Sequence, residues 1–144
     1  MSGFLIDTNV LSEYNRPGGT PDAGVRRWLE TTHRDVQYVS VITLAEIQKG
    51  IGLLDEGKRR NQLQQWLVSD LEDWFFGRIL PVDRQVANRW AELLVFCSGK
   101  GRPLPSIDSL LAATALEHDL VMVTRNVKDF EGIGVAILNP WEGI

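Results

Sequence analysis

Short apolar runs alternate along the chain with longer segments in which apolar residues recur every three or four positions. The runs have the length of buried strands and lie at residues 4–6, 37–41, 78–82, 120–124 and 135–138. The segments between them have the period of amphipathic helices. Strands that alternate with helices are typical of a parallel sheet covered on both faces. We therefore predict an α/β fold, a three-layer α/β/α sandwich around a central, mainly parallel sheet of four to five strands.

Capping residues and helix breakers predict where the helices begin. Pro21 is expected in the first turn of the second helix. Thr43 is expected to cap the helix after the second strand, with Glu46 three residues later completing a capping box. Ser106 is expected to cap a later helix. Residues 58–76 are expected to form one further helical stretch.

The composition is that of an ordinary globular domain. The chain has 144 residues, 44% hydrophobic and 24% charged, which predicts one domain over residues 1–144. The net charge of −4 argues against a basic nucleic-acid coat but does not exclude a nuclease with acidic catalytic residues. The single cysteine, Cys97, excludes an internal disulfide, is expected in the core and fits a reducing compartment. Neither a signal peptide nor a bilayer-spanning run is expected.

Three carboxylates stand alone inside strongly apolar segments. Asp7 lies in LIDTNVL, Glu46 in VITLAEIQKGI and Asp108 in PSIDSLLAATAL. Burying a bare carboxylate is costly, and a bound divalent cation is the obvious source of the missing positive charge. Oxygen ligands favour Mg²⁺ or Mn²⁺ over zinc. His33 and His118 are expected at the surface, so no histidine or cysteine pattern competes with this interpretation.

A parallel sheet gives these carboxylates a reason to meet. Functional groups in such sheets gather beyond the carboxyl ends of the strands. Asp7 follows the first strand, Glu46 lies in the helix after the second, and residues 124–129 follow the fourth. Asp108, on the helix before the fourth strand, can reach the same edge. Two carboxylates about 4 Å apart repel by roughly 4 kcal/mol at an effective dielectric of about 20, so a cluster requires protonation or a cation.

Each carboxylate also has a purely structural interpretation. Asp7 can cap the helix that follows it, and Asp108 can complement the dipole of its own helix. Glu46 can serve only the capping box, and the polar residues at 124–129 can serve a local turn. A structural role for all three carboxylates is harder to account for than for any one of them, because the helix face that carries Asp108 is otherwise apolar and should be buried.

The segments LIDTNVLSE, SVITLAEIQKGI and PSIDSLLAATALEHDLVMVTRNVKDFEGIGV together resemble the PIN-domain toxins of bacterial VapC type, especially the FitB-like branch. The resemblance covers essentially the whole chain. It implies a three-layer α/β/α sandwich that usually forms a homodimer. It also implies a ribonuclease that depends on Mg²⁺ or Mn²⁺, and a cognate antitoxin that wraps the toxin and plugs its site.

The resemblance also implies site residues. Asp7, Glu46 and Asp108 match the family's first, second and third acids, which would hold the metal. The metal would polarise a phosphate oxygen and lower the pKa of a bound water, which attacks in line.

The fourth position of the site stays open. Some family members have an aspartate where Asn126 stands here, in a TND-type motif, whereas this chain has TRN followed by Asp129 three residues later. Either Asn126 or Asp129 therefore completes the site, and Thr8 and Thr124 match small polar positions that support it. Basic residues expected at the rim, as candidates for phosphate contact, are Arg16, Lys100, Arg102 and Arg125.

Three functions remain in competition. The first is a toxin ribonuclease of the bacterial cytoplasm that cuts RNA, binds an antitoxin, forms a homodimer, reaches DNA only through the antitoxin and contacts no membrane. The second is a non-catalytic PIN-like module that acts through an antitoxin and DNA complex. The third is another phosphoryl-transfer α/β enzyme, which is disfavoured because the first strand ends in DTN and not in a paired DxD.

Overall fold

The computed structural model describes residues 3–16, 18–101 and 104–142. Within them lies a five-stranded sheet with the order β3-β2-β1-β4-β5. The strands are β1 (Gly3–Ile6), β2 (Gln37–Ser40), β3 (Ile79–Leu80), β4 (Leu120–Val123) and β5 (Ile137–Leu138). Every pair of neighbouring strands is parallel. The parallel sheet predicted from the apolar runs is therefore confirmed, with β3 and β5 shorter than their runs suggested.

Helices cover both faces of this sheet. They are α1 (Thr8–Tyr14), α2 (Ala23–Thr31), α3 (Val41–Gly52), α4 (Lys58–Gln65), α5 (Glu72–Trp74), α6 (Arg84–Gly99), α7 (Ser106–Glu117) and α8 (Val127–Phe130). Short 3₁₀ turns occupy Arg34–Val36 and Pro140–Glu142. In the described ranges, no helix combines the length and apolarity needed to cross a bilayer.

The helix predicted over residues 58–76 is interrupted in its middle. A π-helix over Trp66–Leu71 joins α4 to α5, and the helical path ends at Trp74. Single π-helical turns are rare, and the apolar period of a helix does not reveal them. The sequence therefore indicated the extent of this arm but not its irregular centre.

The core consists of two clusters, one on each face of the sheet. Adjacent residues of a strand point to opposite faces, so Leu5 packs in one cluster and Ile6 in the other. Met122 and Val123 divide in the same way. Helices α1, α2 and α3 and the arm from α4 to α5 pack on the Ile6 side, whereas α6, α7 and α8 pack on the Leu5 side. The predicted three layers are confirmed, and Cys97 is a core residue as expected.

The cap of α3 differs from the prediction. Ser40, the last residue of β2, accepts a hydrogen bond at 3.0 Å from the backbone amide of Ile42. Thr43 lies inside the helix and is fully buried. The capping box of Thr43 and Glu46 is therefore wrong, because the strand passes directly into the helix and the cap falls on an earlier hydroxyl. Glu46 is left free to bind elsewhere.

Two other helix starts are displaced by a residue or two. Asp22 caps α2 by accepting bonds from two backbone amides, so Pro21 precedes the cap and does not lie in the first turn. Pro105 occupies the cap position of α7, and Ser106 is the first helical residue. Several polar or proline residues stand side by side at each boundary, and the sequence alone did not distinguish among them.

The two histidines have different surroundings. His33 is exposed, as predicted, and caps the 3₁₀ turn before β2. His118 ends α7, and its Nε2 is buried with no hydrogen-bond partner in the described part of the chain. His118 as a whole is half-buried, so the surface position expected for it is confirmed only in part.

Candidate active site

Asp7 is fixed by hydrogen bonds at the carboxyl end of the central strand β1. Its backbone amide donates to the carbonyl of Val123 at 2.9 Å, which continues the bonding between β1 and β4 past the end of the strand. Its carboxylate caps α1 and accepts hydrogen bonds from the Thr8 amide at 2.7 Å and the Thr124 hydroxyl at 2.8 Å. A third bond comes from the Asn9 amide group at 3.2 Å. Asp7 is therefore a helix cap, as its structural interpretation predicted. The cap accounts for only one of the three hydrogen bonds that its carboxylate accepts.

The pKa of Asp7 is raised above its usual value. The main cause is burial, since only 4% of the residue is exposed. The bonds from Thr124 and Thr8 lower the pKa, and the negative charge of Glu46 raises it again. The hydrogen-bond donors around Asp7 therefore offset only part of the cost of burying its charge. The charged form of Asp7 stays disfavoured, and a nearby cation would stabilise it.

Glu46 is joined to Asp7 through Thr8. The Thr8 hydroxyl donates to Oε1 of Glu46 at 2.6 Å, while the Thr8 amide donates to Asp7. This contact spans the ends of β1 and β2, because α1 follows the first strand and α3 follows the second. Thr8 thus holds the first two of the three predicted carboxylates at one place.

Asp108 completes the convergence from the opposite side of the sheet. It lies half-buried in the first turn of α7, which contacts both α3 and α8. The pKa of Asp108 is raised to about 6, mainly by burial and then by the negative charges of Asp7, Asp129 and Glu46, in that order. Hydrogen bonds through Thr8 join Asp7 and Glu46, and the negative charges of Asp7, Asp129 and Glu46 act on Asp108. The meeting of all three acids in one metal site stays a prediction.

The two candidates for the fourth position lie on one exposed segment. The backbone amide of Asn126 donates to the Thr124 hydroxyl at 3.0 Å, and that hydroxyl binds Asp7. Asn126 and Asp129 both line an open cavity of about 620 Å³ after β4. Asp129 acts on Asp108 through its charge, whereas Asn126 is connected through its backbone. Neither connection selects one of the two.

Asn9 is a site residue that the sequence interpretation missed. Its side-chain amide donates to Asp7 and, at 3.3 Å, to the Thr124 hydroxyl, and its carbonyl accepts from the Arg125 amide at 3.2 Å. It therefore connects the start of α1 to the loop after β4. The available signal was its place in DTN directly after a buried strand, where it was interpreted only as part of a helix start.

A family model described as PIN domain matches residues 4–135 of the chain. The chain belongs to the PIN-domain family. Toxin FitB of Neisseria gonorrhoeae (strain ATCC 700825 / FA 1090) is 39% identical over 138 residues, covering 96% of this chain and 98% of FitB. VapC ribonuclease Y4jK of Sinorhizobium fredii (strain NBRC 101917 / NGR234) is 34% identical over 139 residues, covering 96% and 98%.

A solved PIN-domain structure has nearly the same fold. In FitAB bound to an IR36 DNA fragment, one chain superimposes with a TM-score of 0.89 at 37% identity, covering 96% of this chain and 95% of that chain. The resemblance stated from the sequence is therefore confirmed at the level of the family and of the three-layer fold.

The basic residues expected at the rim of the PIN domain have unequal positions. Arg125 lies next to the site, because its amide binds Asn9, and its guanidinium stacks 4.9 Å from the centre of the Trp141 ring. Arg16 follows α1 and pairs with Glu13 at 3.6 Å.

The other two basic candidates are less informative. Lys100 stands at the end of α6 with its ammonium 5.0 Å from the centre of the Phe96 ring, and no contact joins it to the carboxylates. Arg102 lies outside the described residues. Arg125 is therefore the rim candidate with the most direct connection to the site.

The donor set of this PIN domain suits a hard divalent ion that keeps part of its water. Across residues 3–16, 18–101 and 104–142, no three carboxylate, histidine or cysteine side chains form a ready-made metal cage. Mg²⁺ does not need one, because it usually keeps several waters and binds through one or two carboxylates. Burial, and then neighbouring negative charge, raise the pKa values of Asp7 and Asp108, and a bound cation would favour their charged forms.

Proposed function

We propose that this protein is the toxin of a type II toxin–antitoxin system and hydrolyses RNA phosphodiester bonds in a divalent-metal-dependent reaction. The observation that carries the proposal is the electrostatic coupling of Asp108 to Asp7, Glu46 and Asp129 at one edge of a parallel sheet. Two relatives of similar length, the toxin FitB and the VapC ribonuclease Y4jK, support it. We further propose one domain over residues 1–144 and a location in the bacterial cytoplasm, where such an RNA target is present.

Asp7, Glu46 and Asp108 are the proposed ligands of Mg²⁺ or Mn²⁺. When bound, the ion would polarise a phosphate oxygen and activate a water molecule. Thr8 and Thr124 keep two of these carboxylates in a fixed orientation through the bonds described above. Their hydroxyls are positioning groups, since they bind the acids and not the phosphate.

The fourth polar residue is proposed to orient the attacking water. Asp129 can accept a proton from that water at a carboxylate oxygen, because it is ionisable and its charge already acts on Asp108. Asn126 can only orient the water through its side-chain amide, since an amide does not accept a proton at neutral pH. Asp129→Asn therefore lowers kcat much more than Asn126→Ala if Asp129 fills this role, and the reverse order assigns it to Asn126.

The partners follow from the same assignment. We propose a cognate antitoxin that covers the carboxylate edge, a homodimer, and contact with DNA only through the antitoxin. The relative whose chain superimposes on this one is described as FitAB bound to DNA, which supports this arrangement.

The test is cleavage of RNA by the purified protein with Mg²⁺ or Mn²⁺, measured beside two variants. Asp108→Asn is expected to lower the cleavage rate at least a hundredfold while the folded protein is retained. Asp35→Asn is the matched control, because Asp35 is exposed and precedes β2, at the opposite end of the sheet from the carboxylates. Equal cleavage by both variants would sink the assignment.

A non-catalytic PIN-like module is the second candidate function. The absence of a ready-made metal cage among the described residues is the observation that favours it. Titration calorimetry separates the two functions: binding of Mn²⁺ by the wild type and its loss in Asp108→Asn support the ribonuclease. Failure of the wild type to bind any divalent ion, together with undiminished antitoxin binding, supports the module.

A further inference from the structure

A cavity of about 290 Å³ opens beside the carboxylates and is not used by the reaction described above. It lies between α1, α3 and the arm that begins with α4, and Thr8 and Glu46 form part of its wall. Its volume is at the small end of ligand pockets, which measure roughly 300–1,000 Å³. An occupant of this cavity therefore touches the same residues that position the candidate metal site.

The wall of the cavity is largely apolar and includes an aromatic ring. Ile47 and Ile51 of α3, Leu63 of α4 and Trp66 at the start of the π-helix contribute to it. Unpaired nucleobases bind proteins mainly by stacking on aromatic and apolar side chains, and each such stack is independent of base identity. This wall has the chemistry that a planar base requires.

The polar part of the lining provides hydrogen-bonding groups and one cation. Ser12 lies on α1, Asn15 directly follows that helix, and Arg59 lies on α4. Arg59 is exposed and has no ion-pair partner among the described residues. A guanidinium without a partner at the mouth of a cavity is suited to a phosphate, which it binds through two parallel hydrogen bonds.

We propose that this cavity receives one unpaired base of the RNA, next to the phosphate that is cut, while Arg59 binds a backbone phosphate of the same strand. The inference rests on the proposed function and names a part of its substrate site. The aromatic and apolar wall suits a planar base, and the unpaired Arg59 suits the phosphate of the same nucleotide strand, so RNA is the favoured occupant.

A second cavity extends the path for the strand. Its volume is about 430 Å³, and it shares Asn15, Arg59, Leu63 and Trp66 with the first. It continues to Arg16, one of the rim cations predicted from the sequence. A strand whose base enters the first cavity therefore passes two arginines on leaving it.

Gly50 makes the proposal testable. It lines the cavity from the middle of α3, and a Cβ added there would meet nothing within 4 Å. Gly50→Leu therefore adds a side chain at a cavity-lining position that is open to a Cβ, and it replaces a helix-weakening glycine. Gly52→Leu is the matched control, because Gly52 belongs to the same helix, is equally unobstructed and does not line the cavity.

The readout is the cleavage of short RNA oligonucleotides, each with one abasic ribose at a different position. Wild-type protein is expected to lose at least tenfold in kcat/KM when the abasic ribose flanks the cut, which is the size of one lost base stack. Gly50→Leu is expected to lose at least tenfold on intact RNA, mainly in KM, and to become insensitive to that abasic position. Gly52→Leu should behave as the wild type, and Mn²⁺ binding should be the same in all three proteins.

A second pair of variants tests the same proposal in case the Gly50→Leu protein does not fold. Arg59→Met is expected to raise KM at least fivefold and to reduce its dependence on salt, because a phosphate contact is lost. Arg60→Met is the control, since the neighbouring residue on a helix points elsewhere.

The outcomes separate the two hypotheses. Cleavage that is unchanged in Gly50→Leu and Arg59→Met overturns the base site but leaves the ribonuclease intact. Weaker antitoxin binding in these variants with unchanged cleavage assigns the cavity to a protein partner and also overturns the base site. No cleavage by the wild type overturns the ribonuclease, and the base site with it.

Discussion

The Thr124 hydroxyl uses its full hydrogen-bonding capacity within the candidate site. It donates to Asp7 at 2.8 Å and accepts from the Asn126 amide at 3.0 Å and from the Asn9 side chain at 3.3 Å. A hydroxyl has one proton and two lone pairs, so nothing is left for solvent or substrate. Thr124 therefore acts by orienting its neighbours, and its own contribution to the reaction is indirect.

Replacement of this hydroxyl by a methyl group should affect both stability and activity. Thr124→Val removes a hydrogen bond to a buried carboxylate, and we expect a loss of about 2 kcal/mol in the free energy of unfolding. The bond lowers the pKa of Asp7, so its loss should raise that pKa and move the acidic limb of the pH–rate profile to higher pH. Urea denaturation and the pH dependence of cleavage measure the two effects.

Two further variants show whether the change in the pH–rate profile comes from loss of the Thr124 hydroxyl. Thr124→Ser keeps the hydroxyl and should restore the pH–rate profile. Thr114→Val is a matched control, because Thr114 is also fully buried but donates only to a carbonyl of its own helix. A normal profile in Thr124→Val would show that Asp7 does not depend on this bond.

Asp108 should make the metal-free protein less stable at neutral pH. Its pKa lies at about 6 in the folded state, against about 3.9 for an aspartate in an unfolded chain, so folding disfavours the charged form. The full shift corresponds to about 3 kcal/mol, and solvent around this half-buried group screens much of it. We expect Asp108→Asn to raise the free energy of unfolding by about 1 kcal/mol at pH 7.5 in the presence of a chelator.

The same shift fixes the direction of the pH dependence. Between pH 4 and 6 the folded state holds a proton on Asp108 that the unfolded state has lost, so stability of the wild type rises as pH falls through this interval. The advantage of Asp108→Asn should therefore shrink toward pH 4.5, as measured by urea denaturation. A variant less stable than the wild type at pH 7.5 would contradict the crowding of negative charge inferred for this site.

At the scale of the elements, Gln37 joins three parts of the sandwich. The residue begins β2 and is fully buried. Its side-chain amide donates to the carbonyls of Leu29 and Thr32 at the end of α2, and its oxygen accepts from the indole of Trp74 in α5 at 3.1 Å. A buried polar group of this kind fixes the relative position of the elements it connects.

Removal of this junction should be costly. Gln37→Leu leaves an indole N–H and two carbonyls without their partner, and we expect a loss of about 3 kcal/mol in the free energy of unfolding. Gln48→Leu is the control, because the bonds of Gln48 to Gln64 are exposed, and it should change stability by less than about 0.5 kcal/mol. Equal losses in the two variants, measured by thermal and urea denaturation, would show that the junction adds nothing specific.

The strands and helices were predictable where the apolar periodicity was strong. Their first residues were not predictable where several polar residues stand side by side. All five strands fall at the predicted apolar runs, with β3 and β5 shorter than their runs, because buried parallel strands are continuous apolar segments. The cap of α3 was misassigned because Ser40 and Thr43 are both plausible caps, and only the end of β2 decides between them. The π-helix over Trp66–Leu71 was not predictable, since it leaves the overall helical pattern unchanged.

At the scale of the whole molecule, the sequence predicted which residues belong to the candidate site but not the contacts that hold them. Asp7, Glu46 and Asp108 stood out because each is a lone charge in an apolar segment. We expected these acids to converge because functional groups gather at the carboxyl edge of a parallel sheet. The bridging role of Thr8 and the contribution of Asn9 depend on side-chain contacts between separate elements, which no pattern along the chain records.

A divalent ion should stabilise the whole fold by binding only to its native state. At a hundredfold excess over Kd, we expect Mg²⁺ or Mn²⁺ to add about 2.7 kcal/mol to the free energy of unfolding. Since protons compete for Asp108, this gain should decline as pH falls through about 6. Thermal unfolding with and without the ion at pH 7.5 and pH 5 measures it.

The control for this ion effect is Asp108→Asn, which should melt at nearly the same temperature with and without the ion. Addition of Ca²⁺ in place of Mg²⁺ tests whether the gain depends on the smaller ion. A wild-type protein whose melting temperature ignores every divalent ion would argue against a metal site at this edge.

The hydrogen bond from the backbone amide of Asp7 to the carbonyl of Val123 has a consequence for how the molecule moves. This N–H sits between the two central strands, so its deuterium uptake should require opening of the entire sheet and be among the slowest in the protein. Local opening of the edge strands β3 and β5 is therefore expected to leave the Asp7 carboxylate in place.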